Sequence, residues 1–190
     1  MIHSYPDVFQ VGHKVIKDIF NGEVLVEEKV DGSQFSFGKI NGELFCRSKN
    51  KELILGAPEK MFGDAVTTVS LLMDKLHDGW VYRGEYLQKP KHNALVYSRV
   101  PVLHIIGFDI NTGSEIYLTP DEKRSEFERI GLECVPVLFQ GKVENFEMFK
   151  SFLETESVLG GTTIEGVVIK NYNLFTDMKK VAMGKYVSEA

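Results

Sequence analysis

The sequence has few cysteines and no long apolar run, and both absences narrow the possible classes of protein. Cys46 and Cys134 are its two cysteines, they stand far apart, and no CxxC pair occurs. A disulfide scaffold or a structural zinc site is therefore not expected, and a reducing cytoplasmic location fits. No apolar stretch of about 18 residues occurs, so no membrane span is expected. The N-terminus, "MIHSYPDVFQ", also lacks the charged-then-apolar pattern of a signal peptide.

A general excess of positive charge is also missing. The formal net charge of −5 argues against a protein that coats nucleic acid through a broadly basic surface. It leaves room for a locally basic cleft, because lysines and arginines cluster in "RSKNK", "KPKH" and "MKK". The usual glycine-rich phosphate loops, GxxxxGK[ST] and GxGxxG, are absent.

The chain is long enough for one domain with its own core, since it has 190 residues of which 43% are hydrophobic. It shows no internal repeat and no linker of Pro, Gly or Ser, so residues 1–190 are expected to form a single domain. The segments "GEVLVEEKV", "QFSFGKI" and "ELFCRSK" read as strands. With turns at Asp31-Gly32 and Asn41-Gly42, residues 23–49 are expected to form an antiparallel meander.

The rest of the chain mixes helices with further strands. Pro58 suits the start of a helix that continues to Leu76, and Thr119-Pro120 opens a shorter helix ending near Gly131. The segment "NFEMFKSFLETES" is amphipathic at helical spacing. The remaining predicted strands are "WVYRGEYL", "VLHIIGFDI", "CVPVLFQ", "TIEGVVIKNY" and "KKVAMGKYV". Antiparallel signals with interspersed helices predict an α+β fold rather than a doubly wound parallel sheet.

Several segments carry residues suited to nucleotide chemistry, although each is weak alone. They are "EKVDGSQ" (28–34), "YRGEYLQ" (82–88), "IGFDI" (106–110), "EGVVIKNY" (165–172) and "MGKYV" (183–187). In this order the set resembles the covalent nucleotidyltransferase superfamily of polynucleotide ligases and mRNA-capping guanylyltransferases. The resemblance covers about residues 26–187, nearly the whole chain. It implies an ATP-grasp-like core of two antiparallel β-sheets flanked by helices, with the nucleotide cleft between the sheets.

Within the superfamily the details are most similar to RNA ligases of the phage RNA-repair type. DNA ligases and capping enzymes usually have arginine two residues after the motif glycine, where this chain has Gln34. The resemblance implies an adenylyltransferase domain that uses ATP and Mg²⁺ or Mn²⁺. It also implies an enzyme that acts on RNA ends or a nicked duplex, with DNA as an alternative. The protein is expected to be a cytoplasmic monomer. The end of the chain, "GKYVSEA", resembles the start of a segment that leads to a C-terminal accessory domain. That domain is absent from these 190 residues, so the chain is interpreted as either a truncated catalytic core or a minimal enzyme.

Lys29 is the predicted nucleophile, which would attack the α-phosphate of ATP and form a lysyl-AMP intermediate. The attacking amine must be neutral, and a free lysine with a pKa of about 10.4 is neutral in only roughly one molecule in a thousand near neutral pH. Burial, a nearby cation or a metal ion favours the neutral amine. Asp31 would oppose this if it paired with Lys29, so we expect Asp31 to face a metal-bound water or the ribose.

The resemblance assigns further roles around the nucleotide. Glu28 and Phe108 are expected at the purine, and Glu165 and Glu85 at the divalent cation, with Glu85 alternatively at the ribose. Mg²⁺ keeps most of its waters and needs few carboxylates. The other predicted nucleotide-binding residues are Gly32, Gln34, Arg47, Lys170 and Lys185.

Two positions depart from the simplest version of this site. The last motif of the family usually has two lysines separated by one residue, but this chain has Met183 before Lys185, which puts full activity in question. Lys180 from a shifted register is one possible replacement. Strict strand alternation places Lys170 on the face opposite Glu165, so its role is the least supported. The alternatives are a DNA ligase, a capping-type enzyme, or a non-catalytic module that binds nucleotides or nucleic-acid ends.

Overall fold

The structure is a computed structural model that describes residues 1–188 of the chain. Glu189 and Ala190, which end the "GKYVSEA" segment, lie outside the described residues. The β-strands are β1 (Phe9–Gln10), β2 (Glu23–Lys29), β3 (Ser33–Ile40), β4 (Glu43–Ser48), β5 (Val81–Tyr86), β6 (Ile105–Gly113), β7 (Ile116–Tyr117), β8 (Glu133–Cys134), β9 (Val137–Lys142), β10 (Gly166–Phe175) and β11 (Val181–Val187). The α-helices are α1 (Gly63–Leu72), α2 (Pro120–Arg129) and α3 (Glu147–Phe152). Short 3-10 helices span Lys14–Ile16, Lys60–Phe62, Met73–Lys75 and Val102–His104.

The chain divides into two compact units, each assembled from segments that are distant in sequence. The first unit contains Met1–Tyr5, Gly32–Ala94 and Arg99–Cys134, and the second contains Pro6–Asp31, Leu95–Ser98 and the residues from Val135 onward. The first holds a six-stranded sheet in the order β4-β3-β5-β6-β7, with β8 also paired to β6. The second holds a five-stranded sheet in the order β1-β11-β10-β2-β9. The prediction of an α+β fold with two sheets is confirmed.

Both sheets are antiparallel apart from the pairings made by the two-residue strands β1 and β8. The pairs β1–β11 and β6–β8 are parallel, and the other pairs of both sheets are antiparallel. Among residues 1–188, no helix has both the length and the apolar character needed to cross a membrane.

The predicted meander over residues 23–49 is wrong at its first turn. The strand β2 does not pair with β3, because β10 and β9 occupy its two edges in the second unit. Asp31 and Gly32 therefore carry the chain from one sheet to the other instead of closing a hairpin. The second turn is confirmed, since Asn41 and Gly42 adopt positive φ values of 51° and 81° between β3 and β4.

Proline divides another predicted strand. The segment "CVPVLFQ" was expected to form one strand, but β8 ends at Cys134 and β9 begins at Val137, and the two strands belong to different sheets. Pro136 between them has no N–H to donate to a ladder. Its carbonyl oxygen instead accepts from the Glu28 N–H at 3.2 Å.

The helices begin close to where the sequence predicts but differ in length. Thr119 and Glu122 form a reciprocal capping box at the start of α2. The first helix, α1, is directly preceded by the 3-10 turn Lys60–Phe62. The third helix, α3, is only six residues long and ends at Phe152, well before the end of its amphipathic segment. Ser157 from the same segment lies in a loop and is buried.

Each unit has its own apolar core. In the first unit it includes Phe35, Phe37 and Tyr82, and in the second it includes Val26 of β2 and Ile169 of β10. Because side chains alternate along a strand, the residues next to Val26 and Ile169 point to the opposite face of the five-stranded sheet. That opposite face carries the lysines described next.

Candidate active site

Lys29 lies at the end of β2 beside an acid from the start of β10. Its Nζ lies 3.2 Å from Glu165 Oε2, and the two side chains are 27% and 25% exposed. The strand register places Lys29 opposite Gly166, the residue after Glu165. A Cβ at Gly166 would lie 2.5 Å from the Tyr186 carbonyl oxygen, so the close approach of β10 and β11 requires glycine here. Because Gly166 is paired with Lys29, the residue just before it, Glu165, has its carboxylate next to the Lys29 amine.

A second lysine–glutamate pair lies on the same face of the sheet and is buried. Lys170 Nζ lies 2.6 Å from Glu27 Oε1, and both side chains are only 1% exposed. Glu27 and Lys29 are two residues apart on β2, and the register places Lys170 opposite Leu25. Lys170 therefore shares the face of Lys29. Strand alternation was expected to place Lys170 on the face opposite Glu165. This is not observed, because Glu165 precedes β10 and the alternation does not extend to it.

The last strand adds one lysine to this face. Lys185 is half-buried and opposite Val168 in the β10–β11 register, while Met183 is buried opposite Lys170. Lys180 lies before Val181, the first residue of β11, so it occupies the preceding turn rather than a position in this row. The structure therefore gives no support to Lys180 as the replacement for the missing lysine.

The residues flanking Lys29 are held by side chains that sequence analysis did not single out. The buried Glu28 carboxylate accepts hydrogen bonds from Ser157 Oγ at 2.5 Å and from the Val158 N–H at 2.9 Å. Burial raises the pKa of the Glu28 carboxyl, and these two hydrogen bonds only partly offset the effect. Asp31 Oδ2 accepts from the Leu95 N–H at 2.9 Å, so this oxygen has a main-chain partner.

Tyr97 is the second side chain that the sequence analysis missed. Its hydroxyl oxygen accepts a hydrogen bond from the Asp31 N–H at 2.8 Å, and the residue is 3% exposed. Neither Tyr97 nor Ser157 belongs to a motif, and their separation from Lys29 in sequence gives no local signal. Only contacts made in the folded chain bring them close to the residues that flank Lys29.

The remaining predicted residues belong to the first unit. Gly32 begins the second segment of this unit, and a Cβ there would lie 2.9 Å from both Leu87 Cδ1 and the Tyr86 carbonyl oxygen, so a side chain is excluded. Gln34 of β3 is directly opposite Glu85 of β5, which makes the two residues neighbours on one sheet face.

Arg47 and Phe108, also in the first unit, both contact its N-terminal segment. Arg47 donates from Nη1 to the Ile2 carbonyl oxygen at 3.0 Å and from Nε to the Ser48 carbonyl oxygen at 3.3 Å. The Phe108 ring packs edge-to-face against Tyr5, with the ring centroids 5.0 Å apart. These partners were not predictable from local patterns, because the N-terminal residues carry no motif.

No protein cage for a metal is formed within residues 1–188, where no group of three or more His, Cys, Asp or Glu side chains converges. Glu165 offers one carboxylate that is a quarter exposed. Such an isolated acid fits a Mg²⁺-type ion, which keeps several waters and completes its shell with substrate phosphates.

Comparison with protein families identifies the chain. The model of the RNA ligase family matches residues 22–187, which is most of its length. The chain belongs to the RNA ligase family. This finding confirms the resemblance that the nucleotide-chemistry segments indicated. Comparison with curated proteins returned no match.

Solved structures of an RNA ligase from Naegleria gruberi have the same fold as this chain. A ligand-free variant matches with a TM-score of 0.69 at 18% identity, over 97% of this chain and 55% of that one. A variant with AMP and Mn matches with a TM-score of 0.71 at 18% identity, over 98% and 56%. A variant with ATP and Mn matches with a TM-score of 0.68 at 18% identity, over 96% and 55%. The chain thus spans little more than half the length of these ligases.

Proposed function

We propose that this chain is the nucleotidyltransferase domain of an ATP-dependent RNA ligase. Lys29 would form lysyl-AMP, the AMP would pass to a 5′-phosphate end, and a 3′-hydroxyl would then attack to seal the strands. The observation that carries the proposal is the Lys29–Glu165 pair, at the end of β2 and just before β10, with the amine 3.2 Å from the carboxylate. The family match over residues 22–187 supports the reaction class.

The first step of this reaction depends on opening that pair. In the ion pair Lys29 is protonated and has no electron pair with which to attack phosphorus. After the proton is lost to water, a bond forms from Lys29 Nζ to the α-phosphorus. The bond from that phosphorus to the oxygen that bridges to the β-phosphorus breaks, and pyrophosphate leaves. The nitrogen of the new N–P bond loses a second proton to water. A divalent cation held by Glu165 would supply positive charge next to the triphosphate and weaken the attraction between Glu165 and Lys29.

Lys185 is the better of the two remaining lysines for holding the α-phosphate. The charge of Lys170 is balanced by Glu27 at 2.6 Å, whereas Lys185 is half-buried at the far side of the same row. We propose that Lys170 supports the sheet face and that Lys185 offsets charge in the transition state.

The other residue roles rest on the resemblance and are part of the proposal. Glu28 would meet the purine through its backbone, and Asp31 the ribose or a metal-bound water. In the first unit the proposed nucleotide contacts come from Gly32, Gln34, Arg47, Glu85 and Phe108, with Glu85 also near the cation. The Naegleria gruberi ligase variants solved with ATP and Mn, and with AMP and Mn, support ATP as substrate and a divalent cation as cofactor.

Incubation with radiolabelled ATP and Mg²⁺ or Mn²⁺ tests the central claim. We expect a covalent label on the denatured chain that survives alkali and is released by acid, as a P–N bond requires. The label should be lost in Lys29→Arg and retained in Lys142→Ala, which changes an exposed lysine of β9 in the same unit. Label from GTP instead of ATP would indicate a capping-type enzyme. Nicked duplexes with RNA or DNA at the break would then separate RNA ligase from DNA ligase activity.

A second candidate function follows from Met183. A buried methionine stands where the family's last motif usually has lysine, which favours a module that binds nucleotide or strand ends without forming the covalent intermediate. Absence of label from both nucleotides, together with saturable ATP binding, would support this candidate.

We further propose that the enzyme acts in RNA repair as a cytoplasmic monomer. Cys46 and Cys134 are both buried and neither forms a disulfide, which suits a reducing compartment. Sedimentation of the purified chain would test the monomeric state.

A further inference from the structure

A short loop binds Asp31, which lies two residues after the proposed nucleophile Lys29. Leu95–Ser98, here named the 95–98 loop, belongs to the second unit. Tyr97 of this loop is buried, and its hydroxyl oxygen accepts from the Asp31 N–H at 2.8 Å. The Leu95 N–H donates to Asp31 Oδ2 at 2.9 Å. The loop thus binds both the main chain and the side chain of Asp31, two residues after Lys29.

A second loop holds the residue that precedes the nucleophile. Residues 157–161, here named the 157–161 loop, are closed at their base by the Ser157 N–H, which donates to the Thr162 carbonyl oxygen at 2.9 Å. Ser157 Oγ and the Val158 N–H both donate to the Glu28 carboxylate, at 2.5 Å and 2.9 Å. Ser157 Oγ also accepts from the Leu159 N–H at 3.1 Å, so the hydroxyl is fixed from two sides.

The two loops are bonded to each other. The Ser98 N–H donates to the carbonyl oxygens of Leu159 at 3.2 Å and Gly160 at 2.9 Å. Gly160 and Gly161 adopt φ values of 71° and 83°, and a Cβ at Gly161 would lie 2.6 Å from Ser98 Oγ. The pair of glycines is therefore needed for this contact. A closed circuit of contacts runs from Glu28 through both loops to Asp31.

We propose that the 95–98 and 157–161 loops form a clamp that positions Lys29 for attack, with Tyr97 and Ser157 as positioning residues. The inference rests on the proposed function. The lysine side chain is long and flexible, so the direction of its amine depends on a fixed backbone at both flanks. A misplacement of about 1 Å can reduce a reaction rate by roughly 100-fold. Burial raises the pKa of the Tyr97 phenol, so its hydroxyl keeps its proton near neutral pH.

The test compares two reactions of the same chain. Formation of lysyl-AMP requires attack by Lys29, whereas sealing of a nicked RNA that already carries AMP on its 5′-phosphate does not. We expect Tyr97→Phe to lower the maximal rate of lysyl-AMP formation by about 10-fold. Its KM for ATP and its rate of sealing pre-adenylylated RNA should stay within about twofold of the wild type. Ser157→Ala, in the other loop, should show the same split.

The matched control is Tyr82→Phe in the first unit. Tyr82 is also buried, and its hydroxyl accepts from the His77 N–H at 3.1 Å and donates to Glu126 Oε2 at 2.6 Å. We expect Tyr82→Phe to lower the free energy of unfolding about as much as Tyr97→Phe does. Its rates of lysyl-AMP formation and of sealing should not differ from each other in their response. Urea unfolding of all three variants shows that their folding is intact at the assay temperature.

Several results would overturn the clamp. Equal losses in lysyl-AMP formation and in sealing would indicate a general structural role, and unchanged lysyl-AMP formation in both loop variants would indicate no role. A wild-type chain that forms no Lys29-dependent label would instead overturn the proposed function, and the clamp with it.

Discussion

Two lysine–glutamate pairs on one face of the five-stranded sheet differ chiefly in their access to water. Lys29 and Glu165 are each about a quarter exposed and lie 3.2 Å apart, whereas Lys170 and Glu27 are 1% exposed and lie 2.6 Å apart. A partly exposed pair contributes little to stability and can open. Removing one partner of a buried pair leaves the other charge buried without water or a counter-charge, which is strongly destabilising. The Lys170–Glu27 pair is therefore expected to stay closed, and we call it the locked pair. We therefore propose that the Lys29–Glu165 pair takes part in the chemistry and that the Lys170–Glu27 pair stabilises the sheet.

The largest expected effect comes from breaking the buried pair. Lys170→Met should lower the free energy of unfolding by about 3–5 kcal/mol, because the Glu27 carboxylate would stay buried without its partner. Urea unfolding measures this loss. The double variant Glu27→Leu with Lys170→Met should recover most of it, since paired apolar replacements are often close to neutral. A single variant as stable as the wild type would contradict the locked pair.

Glu165→Gln should show the reverse pattern. Loss of the carboxylate charge should lower the rate of lysyl-AMP formation by roughly 100-fold, or ~2.7 kcal/mol in activation free energy, through weaker cation binding. The free energy of unfolding should change by less than about 1 kcal/mol, as for other exposed pairs. Single-turnover labelling and urea unfolding of the same preparation test both halves. A large loss of stability with normal labelling would reverse our assignment of the two pairs.

Met183→Lys tests whether the missing lysine can simply be restored. Met183 is buried and opposite Lys170 in the strand register, so a second ammonium would face a pair that is already balanced by Glu27. We expect a loss of ~2 kcal/mol in unfolding free energy and no gain in labelling rate. Met183→Leu, which keeps an apolar side chain, is the control. Faster labelling in Met183→Lys would show that this site lacks a phosphate contact.

The smallest expected effect is a pH dependence at Glu28. Its pKa is raised in the folded chain by burial, so the folded state binds its proton more tightly than the unfolded state does. The stabilisation is fully present below the unfolded pKa and is lost as pH rises through the folded pKa. The stability of the wild type relative to Glu28→Gln should therefore decrease from pH 4 to pH 8, roughly the range above the ordinary pKa of about 4.3. If the stability of the wild type relative to Glu28→Gln increased with pH instead, the pKa of Glu28 would be lowered in the folded chain.

Local signals predicted much of the fold and part of the site. The Asn41-Gly42 hairpin and the capping box of Thr119 form as expected, because each depends on residues that are neighbours in sequence. The K-x-D-G segment also placed Lys29 at a strand end, as observed. Glu165 was expected inside a strand, but it precedes β10 and lies beside Lys29.

Long-range pairing was not predictable from the same patterns. The alternation in "GEVLVEEKV" predicted a strand, but it gave no sign that Glu27 and Glu28 are both buried. Glu27 is buried beside Lys170, and Glu28 beside Ser157. Tyr97 and Ser157 gave no signal, since their partners lie far away in sequence.

The sequence by itself determined the local turns and caps, the order of the nucleotide-chemistry segments and membership of the RNA ligase family. Only the tertiary structure decided which strands pair, which of the two lysine–glutamate pairs is buried, and which loops hold the flanks of Lys29. Local signals act through neighbouring backbone groups. Burial and strand pairing, in contrast, arise from contacts between segments that meet only when the chain has folded.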